Sequence, residues 1–231
     1  MKYKCLILDH DDTTVNSTAE VNYPALLDTL SKLRPDIHPE YEKFMDFCFD
    51  PGFFDYCTKI LALTPEEMKF EYSNWKRFVR EITPTACPGM ARIIERQRAA
   101  GGIVCTVSHS ESDNILRDWK ANFASAPDAV YGWDAGEGKR KPDPFPVFDI
   151  AKKYSLELSD IIVIDDLKHG YDMARNAGVK FTAALWAQPS EICREFMKIT
   201  PMPFFTTRRL LKGIFSNERH QKTSQLRAPR S

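Results

Sequence analysis

Five short apolar runs stand out from an otherwise polar chain: Lys4–Leu8, Gly102–Val107, Ala129–Tyr131, Ile161–Ile164 and Val179–Leu185. Each is nearly continuous in aliphatic or β-branched residues rather than alternating, which is the pattern of a strand buried on both faces. Between the later runs the period lengthens to that of an amphipathic helix. Gly89–Ala100 closes on Gly101-Gly102, and Gly170–Ala177 closes on Gly178, glycine being a common helix stop. Asp113–Ala121 and Pro144–Tyr154 carry the same helical period. Strands alternating with helices predict an α/β fold, a Rossmann-like doubly wound parallel sheet with helices on both faces.

Residues 17–84 break this rhythm with helical patterning and no strand run. Thr64-Pro65-Glu66-Glu67 reads as a capping box with proline at the first helical position, and the helix it opens runs to about Glu81. His38-Pro39 marks another helix start and Pro51-Gly52 a break. Phe44, Phe47, Phe49, Phe53, Phe54, Tyr56, Phe70, Tyr72, Trp75 and Phe78 crowd the region and are expected to form the core of a small helical bundle, with one or two free to line a pocket. The expected organisation is an α/β core of residues 1–16 and 85–216, a helical module of 17–84 inserted after the first strand, and a tail of 217–231. From Thr207 onward there are seven basic residues against the single acid Glu218; Leu210–Phe215 is expected to end a docking helix, and the rest to be a frayed basic tail.

Composition narrows the function. The 32 basic and 32 acidic residues of the 231 cancel, so nothing favours nucleic acid or an anionic membrane as partner. The first apolar run stops at Asp9, too early for a signal peptide, and no stretch reaches the roughly 20 apolar residues of a membrane span. A soluble cytoplasmic protein, monomeric by default, is the expectation. The six cysteines form no C-x-x-C pair and no zinc-finger spacing, and read as reduced structural thiols.

Ligands of an open parallel sheet bind beyond the carboxyl ends of its strands. There the chain places Asp9, Asp11 and Thr13 after the first strand, Ser108-His109-Ser110 after the second, Lys139-Arg140-Lys141-Pro142 beyond the third and Asp165-Asp166 after the fourth. Side chains two apart on a strand point the same way, so Asp9 and Asp11 are expected to project together, and paired carboxylates favour a cation or a shared proton. Taken singly, each motif has a plain reading: Asp9 and Asp11 in a turn, Lys141 at the surface, Asp165-Asp166 capping the next helix.

Asp9-x-Asp11-x-Thr13, the strand-ending hydroxyl Ser108, Lys141 before proline, and Asp165-Asp166 with Ala177-Gly178 after them together resemble the haloacid dehalogenase superfamily, over about residues 4–200. Cys87-Pro88-Gly89-Met90, where the chain re-enters the core, is also similar. The resemblance is to the phosphatase branch with a helical cap after the first motif, as in phosphoglycolate phosphatases. It implies a Mg²⁺-dependent phosphatase acting on a small phosphorylated metabolite. Asp9 is the implied nucleophile, forming an aspartyl phosphate, and Asp11 the general acid and then base. The implied metal ligands are the Asp9 side chain, the Asp11 carbonyl and Asp166, with Asp165 a ligand or its neighbour. Lys141 and Ser108 would hold phosphoryl oxygens, Thr13 would support the turn carrying Asp11 and stand among the substrate-binding residues, and His109 stands next to substrate or in solvent. Lys139 and Arg140 compete for the role of Lys141.

Two departures from the family pattern matter. The residue after the second aspartate is usually glycine and here is Asp12, which tolerates positive φ better than most. The further acid four residues after the aspartate equivalent to Asp166 is here Gly170; the adjacent pair Asp165-Asp166 resembles the variant in which the two acids are neighbours, and the second metal carboxylate stays open. Three other functions are less compatible with these residues. A phosphomutase would carry a cap histidine near Val21, a 2-haloacid dehalogenase would not need Asp11, and a non-catalytic binding module would lack one of the key groups, none of which is missing.

Overall fold

The computed structural model describes residues 2–199. The expected docking helix Leu210–Phe215, the tail 217–231 and the end of the expected core lie outside the described residues. Five strands, β1 (Cys5–Leu8), β2 (Ile103–Val107), β3 (Ala129–Tyr131), β4 (Ile161–Asp165) and β5 (Lys180–Ala183), form one sheet in the order β3-β2-β1-β4-β5. Every pairing is parallel. The last strand is shorter than its apolar run: Ala184 still donates its N–H to the Asp165 carbonyl, and the chain turns at Leu185.

Nine α-helices accompany the strands among the described residues. They are α1 (Tyr23–Leu33), α2 (Tyr41–Phe49), the single turn α3 (Phe53–Asp55), α4 (Pro65–Glu81), α5 (Met90–Ala99), α6 (Ser112–Asn122), α7 (Phe145–Lys153), α8 (Lys168–Ala177) and α9 (Glu191–Ile199). None is long and apolar enough to cross a membrane. Alternate side chains of the central strands feed two cores. Leu6, Leu8, Val104, Ile162 and Ile164 meet Met90, Ile93, Ile115 and Trp119 of α5 and α6. Cys5, Ile7, Cys105, Val107 and Val163 meet Val147, Ile150, Met173, Ala174, Cys193 and Met197 of α7, α8 and α9. Burial on both faces is why the strands read as unbroken apolar runs.

The chain between β1 and α5 is helical, as expected. A π-helical turn at Thr18–Asn22 leads into α1, and α1 packs on α4. Thr64 caps α4: its hydroxyl accepts from the Glu67 N–H at 3.2 Å, and Glu67 accepts from the Thr64 N–H at 2.9 Å. The buried Asn74 ties α4 to α1 by donating to the Ala25 carbonyl and the Thr29 hydroxyl. A third core gathers Leu26, Leu30, Phe44, Met45, Tyr56, Cys57, Leu61 and Leu63.

The aromatics divide more finely than their density predicts. Phe44 and Tyr56 are core, with Phe47 stacked on Tyr56, whereas Phe54, Phe70 and Tyr72 are exposed. Phe49 leaves the bundle and packs on Phe196 of α9, in the core beneath the sheet. Two further boundaries differ. The helix expected from Pro39 begins at Tyr41, and α8 begins at Lys168, so Gly170 lies within its first turn. The two segments that enter and leave the inserted helices run side by side, with Asn16 N–H bonded to the Thr85 carbonyl and Cys87 N–H to the Thr14 carbonyl. All six cysteines are free.

Candidate active site

The order β3-β2-β1-β4-β5 puts the reversal of strand order beside β1, where a crevice opens at the carboxyl ends. Register then does the positioning. Leu8 pairs with Ile164, and the Asp9 N–H donates to the Ile164 carbonyl at 2.9 Å, so Asp9 leaves β1 beside Asp165 at the end of β4. Neighbouring strands are only about 4.8 Å apart, which brings these carboxylates together. Ligand oxygens of Asp9, Asp165 and Asp166, all buried, lie within 4.8 Å of one another.

Lys141 enters this cluster from the loop after β3. Its Nζ donates to Asp9 Oδ1 at 2.7 Å and to Asp165 Oδ2 at 2.6 Å, with all three side chains buried. Lys139 and Arg140 do not compete for this place: Lys139 lies over the Phe145 ring, and the Arg140 guanidinium sits on the Trp133 ring. Burial opposes the Lys141 charge, but Asp165 and Asp9 outweigh it and hold the ammonium above its usual range. Asp9 is pushed up to about 6 by burial and by the Asp165 charge, with Lys141 pulling back. Burial and the charge of Asp9 push Asp166 up.

The two acids at the end of β4 are not equivalent. Both oxygens of Asp165 are engaged, Oδ2 by Lys141 and Oδ1 by the Leu167 N–H at 2.8 Å, the turn that starts α8. Asp166 Oδ2 accepts from Gln188, while its Oδ1 is buried with no hydrogen-bond partner among the described residues. An orphaned buried carboxylate oxygen beside the Asp9 and Asp165 carboxylates and the Lys141 ammonium fits a divalent cation. Gly170 explains the missing acid four residues on. A Cβ there would stand 2.1 Å from Asp165 Oδ2, so any side chain would displace the partner of Lys141.

Asp11 shares the cleft with Asp9 but has different partners. It accepts from Ser17 Oγ at 2.5 Å, Ser110 Oγ at 2.7 Å and Ser108 Oγ at 3.2 Å. Burial opposes its charge, yet His10 and these hydroxyls together hold it below the usual carboxylate range. Asp12 takes up a left-handed conformation, φ 55°, as the sequence anticipates, and burial pushes its carboxyl up to about 7. Thr13 departs from expectation. It is fully buried, its hydroxyl has no partner among the described residues, and only its carbonyl is used, by Trp186 Nε1 at 3.1 Å. The turn is braced instead by Thr14, whose N–H and hydroxyl both reach the His10 carbonyl.

A cleft opens over the cluster. Asp9, Asp11, Asp12, Ser108, Lys141 and Asp166 line its floor, and Leu167, His109 and His169 its sides. Thr18, Met45 and Cys48 close it from the inserted helices. His109 is not a solvated loop residue. Its Nε2–H donates to the Lys141 carbonyl at 2.7 Å, its ring meets His169 edge to face at 5.0 Å, and burial beside Lys141 lowers it to about 3. Sequence reasoning missed Ser17, His169, Met45, Cys48 and Gln188, and gave Ser110 no role of its own. Ser110 stood at the rim in the sequence, two residues beyond Ser108 on the same strand-end loop.

Residues 6–184 match the family model of the haloacid dehalogenase-like hydrolases. The chain belongs to that family. As a haloacid dehalogenase-like hydrolase it shares its fold with many solved structures. A protein from Lactobacillus delbrueckii subsp. bulgaricus, provisionally named a phosphoglycolate phosphatase, superposes with a TM-score of 0.75 at 19% identity, over 94% of this chain and 100% of that one. A protein from Haemophilus somnus with the same provisional name gives 0.68 at 17% identity, over 92% and 98%. CbbY from Rhodobacter sphaeroides, in complex with xylulose-(1,5)-bisphosphate, gives 0.61 at 16% identity, over 78% and 85%. A search of the curated proteins finds no match.

Proposed function

We propose that this hydrolase is a Mg²⁺-dependent phosphatase that cleaves a small phosphate monoester through an aspartyl phosphate on Asp9. The observation that carries the reading is the pairing of Lys141 with both Asp9 and Asp165 beside an Asp166 oxygen that has no partner. Asp9 and Asp166, with the Asp11 carbonyl, would hold the ion, which offsets charge between the carboxylates and the phosphoryl group when bound. Asp165, with both oxygens engaged, holds Lys141 rather than the ion.

In the first half-reaction an Asp9 oxygen attacks phosphorus, the P–O bond to the alcohol breaks, and Asp11 gives the leaving oxygen its proton. In the second, Asp11 takes a proton from water, the water oxygen attacks phosphorus, and the Asp9–phosphorus bond breaks. The hydroxyl donors around Asp11 favour its ionised form, which suits the second step. An entering phosphoryl dianion opposes that ionisation and favours proton uptake for the first. Lys141 and Ser108 are placed to bind phosphoryl oxygens as charge spreads over them, and His109 fixes Lys141 from its backbone.

Residues 17–84 act in this reading as the cap, whose Thr18, Met45 and Cys48 would face the alcohol part of the substrate and exclude water. The small phosphorylated ligand of CbbY and the names of the other two neighbours support a substrate of that class. Six free thiols suit a reducing compartment such as the cytoplasm. The test is phosphate release from a panel of sugar phosphates, phosphoglycolate, nucleotides and cofactor phosphates with Mg²⁺. Turnover of at least one ester is expected; a folded protein inert toward all of them counts against the reading.

A further inference from the structure

Hydrogen bonds that begin at Asp166 run out of the sheet edge and end on the inserted helices. Asp166 Oδ2 accepts from Gln188 Nε2 at 3.1 Å, and Gln188 Oε1 accepts from the Ser190 N–H at 3.1 Å. Ser190 precedes α9 and caps it, its Oγ accepting from the Cys193 N–H at 3.1 Å. The same hydroxyl donates to Asp46 Oδ1 of α2 at 2.7 Å. Cys193 Sγ–H returns to the Asp166 carbonyl at 3.2 Å. Gln188 and Ser190 are both buried, so neither has water as a substitute partner.

The arrangement has one consistent orientation. The Ser190 N–H needs an acceptor, which turns the Gln188 carbonyl toward it and the amide N–H₂ toward Asp166. That N–H fixes the plane of the Asp166 carboxylate by one oxygen and leaves the other, Oδ1, buried and open. On the far side, α2 is the helix that presents Met45 and Cys48 to the cleft and plants Phe49 on α9. The contact that holds the Gln188 loop is therefore made by the same helix that closes the cleft.

We propose that Gln188 is a positioning residue for the metal carboxylate Asp166, and that Asp46, by holding Ser190, keeps Gln188 in place, so that cation binding and docking of α2 on the core stabilise each other. The inference rests on the reading of the acidic cluster as a divalent-cation site. Outer partners of metal ligands orient them, and their loss weakens metal binding roughly 10- to 100-fold. Linkage makes the effect reciprocal, so whatever loosens α2 loosens the ion by the same factor.

Calorimetric titration of the full chain with MgCl₂ tests this without reference to activity. Gln188→Met is expected to weaken Mg²⁺ binding about tenfold or more. Asp46→Ala is expected to weaken it about fivefold. Asp46→Asn removes the same charge but keeps an oxygen for Ser190, so near-wild-type affinity in that variant separates the hydrogen bond from simple long-range attraction. The double variant Gln188→Met/Asp46→Ala should bind no more weakly than Gln188→Met alone. Wild-type affinity in both Gln188→Met and Asp46→Ala, or equal losses in Asp46→Ala and Asp46→Asn, overturns the proposal. If Gln188→Met does not fold, the two Asp46 variants decide it by themselves. A wild-type chain that binds no Mg²⁺ overturns the cation reading itself.

Discussion

Lys141 Nζ lies 2.7 Å from Asp9 Oδ1 and 2.6 Å from Asp165 Oδ2, bridging the carboxylates that end two neighbouring strands. A buried ammonium between two buried carboxylates carries stability as well as chemistry. Removing one partner of such a group leaves the others charged and unpaired, which costs about 3–5 kcal/mol. Lys141→Met is therefore expected to lower the unfolding free energy by about that much and to abolish phosphate release. Chemical denaturation measures the first effect. A Lys141→Met protein as stable as the wild type would show that the three side chains do not form one buried network.

Asp9 is asked to do what no neighbour can, since Asp165 is occupied by Lys141 and the Leu167 N–H. Asp9→Asn keeps the shape but removes the nucleophile, and should reduce kcat by about 10³-fold or more. Chelation should abolish wild-type turnover, and added Mg²⁺ should restore it. Chloride release from a 2-haloacid that survives chelation would assign a different reaction to the same aspartate.

The sheet was legible in the sequence because burial on both faces leaves strands with no polar positions, as in Ile161–Ile164. The rim was legible because its groups follow strands directly. Asp9, Ser108 and Asp165 each stand within one residue of a strand end, where register alone brings them together. What was illegible depends on contacts distant along the chain. Nothing local distinguishes Asp165 from Asp166; the difference comes from Lys141 on one side and Gln188 on the other. Thr13 and Thr14 look interchangeable in sequence, yet only the Thr14 hydroxyl faces the His10 carbonyl. Phe49 reads as one more bundle aromatic, and its place beneath the sheet is set by Phe196, far along the chain.

Glu71 gives stability a pH dependence unconnected with the site. It is buried on α4, with no hydrogen bond or ion pair among the described residues, and burial pushes its carboxyl up to about 7 from 4.5. Below pH 4.5 the group is neutral folded and unfolded, and burial costs nothing. As pH rises toward 7 the unfolded chain ionises first, so stability falls, and above 7 the loss is complete at on the order of 3 kcal/mol. Glu71→Gln should remove this slope and be more stable than the wild type at pH 8. Other buried carboxyls, Asp9 among them, titrate in the same window, so the informative quantity is the difference between the two proteins. Equal pH profiles in denaturant melts would show that Glu71 stays hydrated.

Gly170→Ala sets two effects of opposite sign against each other. Alanine in place of glycine inside α8 favours the helix by about 1 kcal/mol. Against that, the new Cβ would stand 2.1 Å from Asp165 Oδ2 and 2.4 Å from Asp165 Cβ. Asp165 has no room to yield, because the Leu167 N–H holds one oxygen and Lys141 the other. Overpacking of this kind costs about 1–3 kcal/mol, so the net change should be destabilising. A shifted Asp165 also loosens Lys141 from Asp9, so kcat should fall while a glycine-to-alanine change at a neutral helical position would leave it alone. A Gly170→Ala protein with raised Tm and unchanged kcat would mean that Asp165 does not need the space that glycine leaves.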